Sequence, residues 1–232
     1  MGLLALASCT PPLYLPNTVQ APTLLESGEV EVGTYYSPNF LNVQAAVAVT
    51  DNIGILASGV TDFRSSTDTA YHHFGEIGVG YTYHWADLEK RNKVAPLVMG
   101  FLGYGAGVIR AEQDSYATND ETYVSSGWGN YDRFFLQLGG GFTQKNVELL
   151  FNVRGTFVNF KSLYTNFGSY EGSRRYNTFL EPALTIKTGG ERLKFFGQFG
   201  LALSTEGDQR VAFRQEPLML SLGINYQFNF KK

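Results

Sequence analysis

A single cysteine, Cys9, stands in the 232 residues, so no internal disulfide is available to hold the fold. Histidine is almost as scarce, with only His72, His73 and His84, and no Cys/His spacing of the kind that ligates zinc is present. No metal or other cofactor is expected. Charged residues make up 17% of the chain and the net charge is −3. No Lys/Arg block exceeds three residues, so the electrostatic footprint of a nucleic-acid partner is missing. No run of about 18 apolar residues occurs, which excludes a spanning α-helix. A convincing 3.6-residue period is missing too, so a chain of this kind that crosses a membrane does so as closed strands.

What is abundant is glycine (26), phenylalanine (18) and tyrosine (14), the mixture of many strands and tight turns. From Glu29 onward about ten segments alternate with period two. In the last, Leu218, Leu220, Leu222, Ile224, Tyr226, Phe228 and Phe230 alternate with Met219, Ser221, Gly223, Asn225, Gln227 and Asn229. Leu193, Phe195 and Phe199 oppose Lys194 and Gln198 in the same way, and Val147, Leu149 and Phe151 oppose Glu148 and Asn152. The segments Ile53 to Phe63 and Val94 to Ile109 alternate less cleanly, and their facing is left open.

A lipocalin-like soluble carrier alternates as well, with its apolar face inward. The Leu, Phe and Tyr faces are too bulky to fit inside about ten strands, whereas Gly, Ala, Ser, Asn and single charges fit, which favours apolar out and polar in. Connector lengths point the same way. Short turns near Thr50–Asn52, Thr143–Asn146 and Thr188–Glu191 alternate with longer polar loops at 64–72, 112–132, 161–175 and 205–214. Trp85, Tyr81, Tyr83, Tyr131 and Tyr176, near strand ends, suit interfacial aromatic girdles.

With these features the region 29–232 resembles the small outer-membrane β-barrel proteins, an all-β, antiparallel up-and-down transmembrane barrel of about 10 strands (8 to 12). Its last strand, Tyr226-Gln-Phe-Asn-Phe230, is similar to the signal read by the barrel-assembly machinery, although Lys231 and Lys232 follow the terminal aromatic. Ahead of it, Leu6-Ala7-Ser8-Cys9 resembles the lipobox of bacterial lipoproteins. The resemblance implies a signal-peptide remnant at 1–8, lipidation of Cys9, an extended tether with a spacing role at 9–28, and the barrel at 29–232. No positively charged segment precedes the apolar stretch, and a free or buried thiol is the alternative reading. An even strand number places both termini on the periplasmic side of an outer membrane. Expected partners are outer-membrane lipid, the barrel-assembly machinery during insertion, and a protein or glycan at the outer loops.

Hairpin symmetry around 160–175 sets Arg154 opposite Glu181 and Glu148 opposite Lys187, and a continued register sets Lys194 beside Lys187. Such pairs fill a lumen rather than line a pore. His72 and His73, with Ser66 and Glu76 nearby, form a candidate loop-edge site for a hydrolase or acyltransferase. A Ser/Thr/Asp-rich solvated loop gives the same composition, so no catalytic residue is assigned. Gly103–Gly107 and Gly139–Gly141 lack the spacing of phosphate loops and read as strand glycines. The expectation is therefore a non-enzymatic structural or interaction component acting through its outer loops, with the loop-edge enzyme and a narrow passive channel as alternatives.

Overall fold

Alternation of large apolar with small or polar residues puts the two sets on opposite faces of extended strands, and closing those strands on one another leaves no edge to desolvate. The computed structural model describes residues 12–38, 40–62, 70–85, 94–116, 122–165, 175–205 and 213–231. Residues 1–8, Cys9 and Ser66 lie outside them. Among the described residues every regular element is a strand: β1 (Pro12–Tyr14), β2 (Glu29–Ser37), β3 (Phe40–Ala48), β4 (Ile53–Thr61), β5 (Tyr71–His84), β6 (Ala95–Tyr116) and β7 (Thr122–Gln144). They are followed by β8 (Val147–Thr165), β9 (Tyr176–Gly189), β10 (Leu193–Leu201), β11 (Leu203–Ser204), β12 (Arg214–Gln215) and β13 (Leu218–Asn229).

β2 to β10 pair in chain order, each antiparallel to the next; β13 pairs with β10 on one side and β2 on the other. The result is a closed barrel of ten staves. After Ala202, β11 continues the β10 stave against β9. Short turns at 49–52, 145–146 and 190–192 mark one end, here the short-turn end. The end of β4 and start of β5, the end of β6 and start of β7, and the end of β8 and start of β9 lie at the other, here the long-loop end.

Facing follows the pattern with large side chains outward. Leu222 is 69% exposed and Phe199 52%, whereas Arg133 and Glu181 are both 0%. A lipocalin-like interior, which requires Leu222 and Phe199 inside, is excluded by this arrangement. Tyr83, Trp85 and Phe228 ring the short-turn end of the outer face; Tyr71, Trp128 and Tyr164 stand outward at the other, with Trp128 stacked on Tyr164 at 5.4 Å. These two aromatic bands bracket an apolar wall suited to hydrocarbon between them.

Three expectations are corrected. The segment 112–132 is not mainly a loop, because β6 runs on to Tyr116 and β7 begins at Thr122. Beyond the apolar band neither face of a hairpin need be apolar, so the alternation that marks strands fades there. Tyr131 is not a girdle residue; it points into the lumen and is 2% exposed. Finally, residues 12–24 are not an external spacer. They run through the lumen as a strap, nearly all of it buried. Gly28, at φ 89°, makes the reversal from strap to β2, a left-handed conformation glycine adopts without steric cost, and its N–H bonds the Ala48 carbonyl at 2.9 Å.

The lumen also holds aromatic rings that the sequence pattern did not place there, several of them seated where a neighbouring strand has no side chain. Phe135 lies over Gly103, directly opposite it in the ladder, so that a Cβ on Gly103 would collide with the ring and with the Ile77 carbonyl oxygen. Gly59, facing outward, would meet nothing within 4 Å. Gly103→Val is therefore expected to destabilise the barrel by about 1–3 kcal/mol and Gly59→Val by no more than about 0.5 kcal/mol. Urea midpoints in detergent, read from the mobility of unboiled protein on gels, check both.

Candidate functional site

Pro16 and Pro22 keep the strap extended and deny it a regular ladder, so its backbone must find partners among side chains. Inward-facing glutamines supply them. The Gln198 amide group donates to the Val19 carbonyl at 2.8 Å and accepts from the Val19 N–H at 2.8 Å. Gln44 donates to the Thr18 carbonyl and Gln137 to the Gln20 carbonyl, each at 2.7 Å. The wall thus recognises the strap as an adjacent strand would, with three side-chain amides in place of peptide groups.

At mid-height the strap meets a belt of charge. Glu76 of β5, Arg133 of β7, Arg154 of β8 and Glu181 of β9 all point inward and are buried. Arg154 Nε donates to Glu181 Oε2 at 2.6 Å, and Arg133 bonds Glu76. Asn17 of the strap ties three of them together: its amide oxygen accepts from Arg133 Nη2 at 2.7 Å and Arg154 Nη2 at 2.9 Å, and its amide nitrogen donates to Glu76 Oε1 at 2.9 Å. Tyr14 donates to Glu181 Oε1 at 2.5 Å. Two guanidinium groups and two carboxylates neutralise one another, which is the condition under which buried charge is tolerated.

A second belt lies toward the short-turn end. Lys187 Nζ is 2.6 Å from Glu31 Oε1 and 3.6 Å from Glu148 Oε2, and Lys194 bonds Glu148. Thr23 of the strap donates to Glu148 Oε2 at 2.9 Å. The ladder pairs Glu148 with Lys187 and Arg154 with Glu181. Lys194, however, is opposite Gly189 while Lys187 is opposite Phe196, so the two lysines are offset by two positions rather than side by side. Glu31, missed in the sequence, carries the belt onto β2; its signal was the alternation Val30, Val32, Thr34 on the other face.

At the long-loop end the polar filling gives way to an apolar cap in which Leu13, Tyr14 and Leu15 of the strap pack against Phe74, Tyr131, Phe160, Phe179 and Phe213. Tyr14 stacks on Phe179 with ring centroids 4.4 Å apart. Pro12 and Tyr14 form a short parallel ladder with Arg214 and Gln215. The start of β2 and the end of β13 lie at the short-turn end, as expected of both termini, but the strap carries Pro12 back to the opposite end.

The loop-edge histidine site does not assemble as expected. His72 belongs to β5, is 1% exposed, and its Nε2 lies 2.8 Å from the Tyr131 hydroxyl. His73 faces outward, stacked on Tyr71. Glu76 is held by the arginines, Asn17 and Ser58 inside the lumen. Neighbours in sequence on a strand alternate between two sides of the wall, which puts His73 outside while His72 and Glu76 face the lumen, where each is engaged with other partners.

No family model matches the chain, and no curated protein matches it. Among solved structures, a loop L8 deletion mutant of OmpT, an outer membrane protein of Vibrio cholerae, is 11% identical over 87% of this chain and 97% of its own, with a TM-score of 0.28. The NanC porin is 9% identical over 88% of this chain and 99% of its own, with a TM-score of 0.25. Likenesses this distant decide nothing about activity.

Two outcomes test the site. In a Cys9→Ser background, Thr18→Cys with Ser221→Cys, whose hydroxyl oxygens are 2.7 Å apart, is expected to form a disulfide that joins strap to wall; a strap outside the lumen forms none. Arg154→Met leaves Glu181 without its cation and is expected to cost about 3–5 kcal/mol. Adding Glu181→Met should recover part of that loss in the same denaturant titration.

Proposed function

We propose that this chain is an outer-membrane barrel lipoprotein, closed by its own N-terminal strap, that serves as a structural or interaction component rather than as an enzyme or a pore. The observation that carries this reading is the occupied lumen: Asn17 sits between both ion pairs of the central belt, and the strap's backbone is held by the inward glutamines. A path for water or ions needs charged groups with spare capacity along open space, whereas here the carboxylates and cations of the two belts are paired with one another and bonded to the strap.

The outer membrane is the natural home of a closed wall with an apolar outer face between two aromatic bands. Insertion would use the barrel-assembly machinery, reading Tyr226 to Phe230. In the usual orientation the short turns face the periplasm and the long loops face out. The chain ahead of Pro12 would then emerge on the outer side, which replaces the periplasmic N-terminus expected from strand parity alone. The working surface is the long-loop end, where β6, β7 and β8 extend past the other staves to carry a protein or glycan contact.

Purified full-length protein in a planar bilayer is expected to give no conductance steps, and cell fractionation is expected to find it in the outer membrane with a mobility shift on boiling. Steady, reproducible steps from the unmodified chain would overturn the sealed-lumen reading in favour of a channel.

A further inference from the structure

One ladder row on the outside of the wall crosses five neighbouring staves: Val43, Gly59, Gly75, Ala106 and Asp132. Its three central positions carry nothing larger than a methyl group. A Cβ at Gly59 would meet no atom within 4 Å, and one at Gly75 only the Ser58 carbonyl oxygen at 3.8 Å. The wall is therefore hollowed into an outward groove of about 750 Å³. Below, the surface continues through Ile77 into the apolar band. Above, the next outward row carries polar Thr61, His73 and Asn130 between Leu41 and Val108, and Lys161 is paired to Asp132 at 2.8 Å. Hydrocarbon below and a polar head at the rim is the gradient of one lipid molecule.

The strap ends at the same rim. Pro12 borders a cleft of about 210 Å³ together with Asp62, Tyr71 and Arg110, and these stand within two positions of Thr61, His73 and Val108 at the groove. Cys9 precedes Pro12 by three residues, a reach of at most about 11 Å of extended chain. The short-turn end is out of that reach, because the strap from Gly28 to Pro12 has already traversed the lumen.

We propose that the groove across β4, β5 and β6 holds an acyl chain of the lipid carried on Cys9, so that the anchor lies in the leaflet at the long-loop end, against the barrel's own wall. This rests on the lipoprotein reading above. The covalent tether keeps the chain close to the groove at all times, an effective-concentration advantage that free bilayer lipid lacks.

The test feeds growing cells an alkynyl, diazirine-bearing palmitate, irradiates them intact and maps the full-length protein by mass spectrometry. The expected result is label on the Cys9 peptide and, after irradiation, cross-links within 57–61, 73–77 and 104–108. These should be lost in Gly75→Trp, which fills the groove, and weakened in Ala106→Leu, with the boiling-dependent mobility shift of each variant confirming a folded barrel. Label on Cys9 with cross-links elsewhere, or cross-links indifferent to both fillings, overturns this inference alone. Groove cross-links that persist in Cys9→Ser identify bilayer lipid as the occupant and also overturn it. Absence of label on Cys9 overturns the lipoprotein reading and this inference with it.

Discussion

The neutrality of the central belt is the constraint on which the rest of the interior depends. A ten-stave barrel is too narrow to surround inward charges with bulk solvent, so Glu76, Arg133, Arg154 and Glu181 must satisfy one another. Four wall groups alone leave donors and acceptors over, and Asn17 and Tyr14 take up several of them, with Arg133 Nε left without a partner among the described residues. Wall and strap are thus two halves of one polar core, and neither has a satisfied alternative without the other. This inverts the logic of a soluble domain, in which apolar burial drives folding and polar groups accommodate it. Here most of the large apolar side chains face the surroundings, and the interior is specified by its polar belts together with the apolar cap at the long-loop end.

Much of this was legible where the physics is local. The clean alternation from Leu218 to Phe230 reads out its own facing, because a strand has only two sides. The pairing of Arg154 with Glu181 follows from counting outward from one hairpin. The register across the next turn did not, because a turn of unknown length shifts every later pair, and Lys194 consequently sits two positions from where counting put it.

The strap was the least legible part, for a physical reason. Its partners are side chains on distant strands, such as Gln198 and Gln137, so it carries no period of its own, and its prolines resemble those of a linker. His72 and Tyr131 were misread similarly: composition suggested loop and girdle, whereas their parity on β5 and β7 points both inward, where they bond each other at 2.8 Å. Rings such as Phe135 were hidden because their accommodation depends on a glycine in another stave, a relation no single segment displays.

The strap is covalently continuous with β2, and β2 forms one side of the seam with β13, the last stave to be made. Within the described residues the strap is joined covalently to the wall only through Gly28, and everything else that holds it is non-covalent. Drawing it out through the short-turn end leaves the β2–β13 seam untouched but takes Asn17 and Tyr14 from the belt and strips Gln198, Gln44 and Gln137 of the backbone groups they hold. The strap's residence in the lumen is therefore set by those polar contacts, and the charges it completes are the ones that retain it.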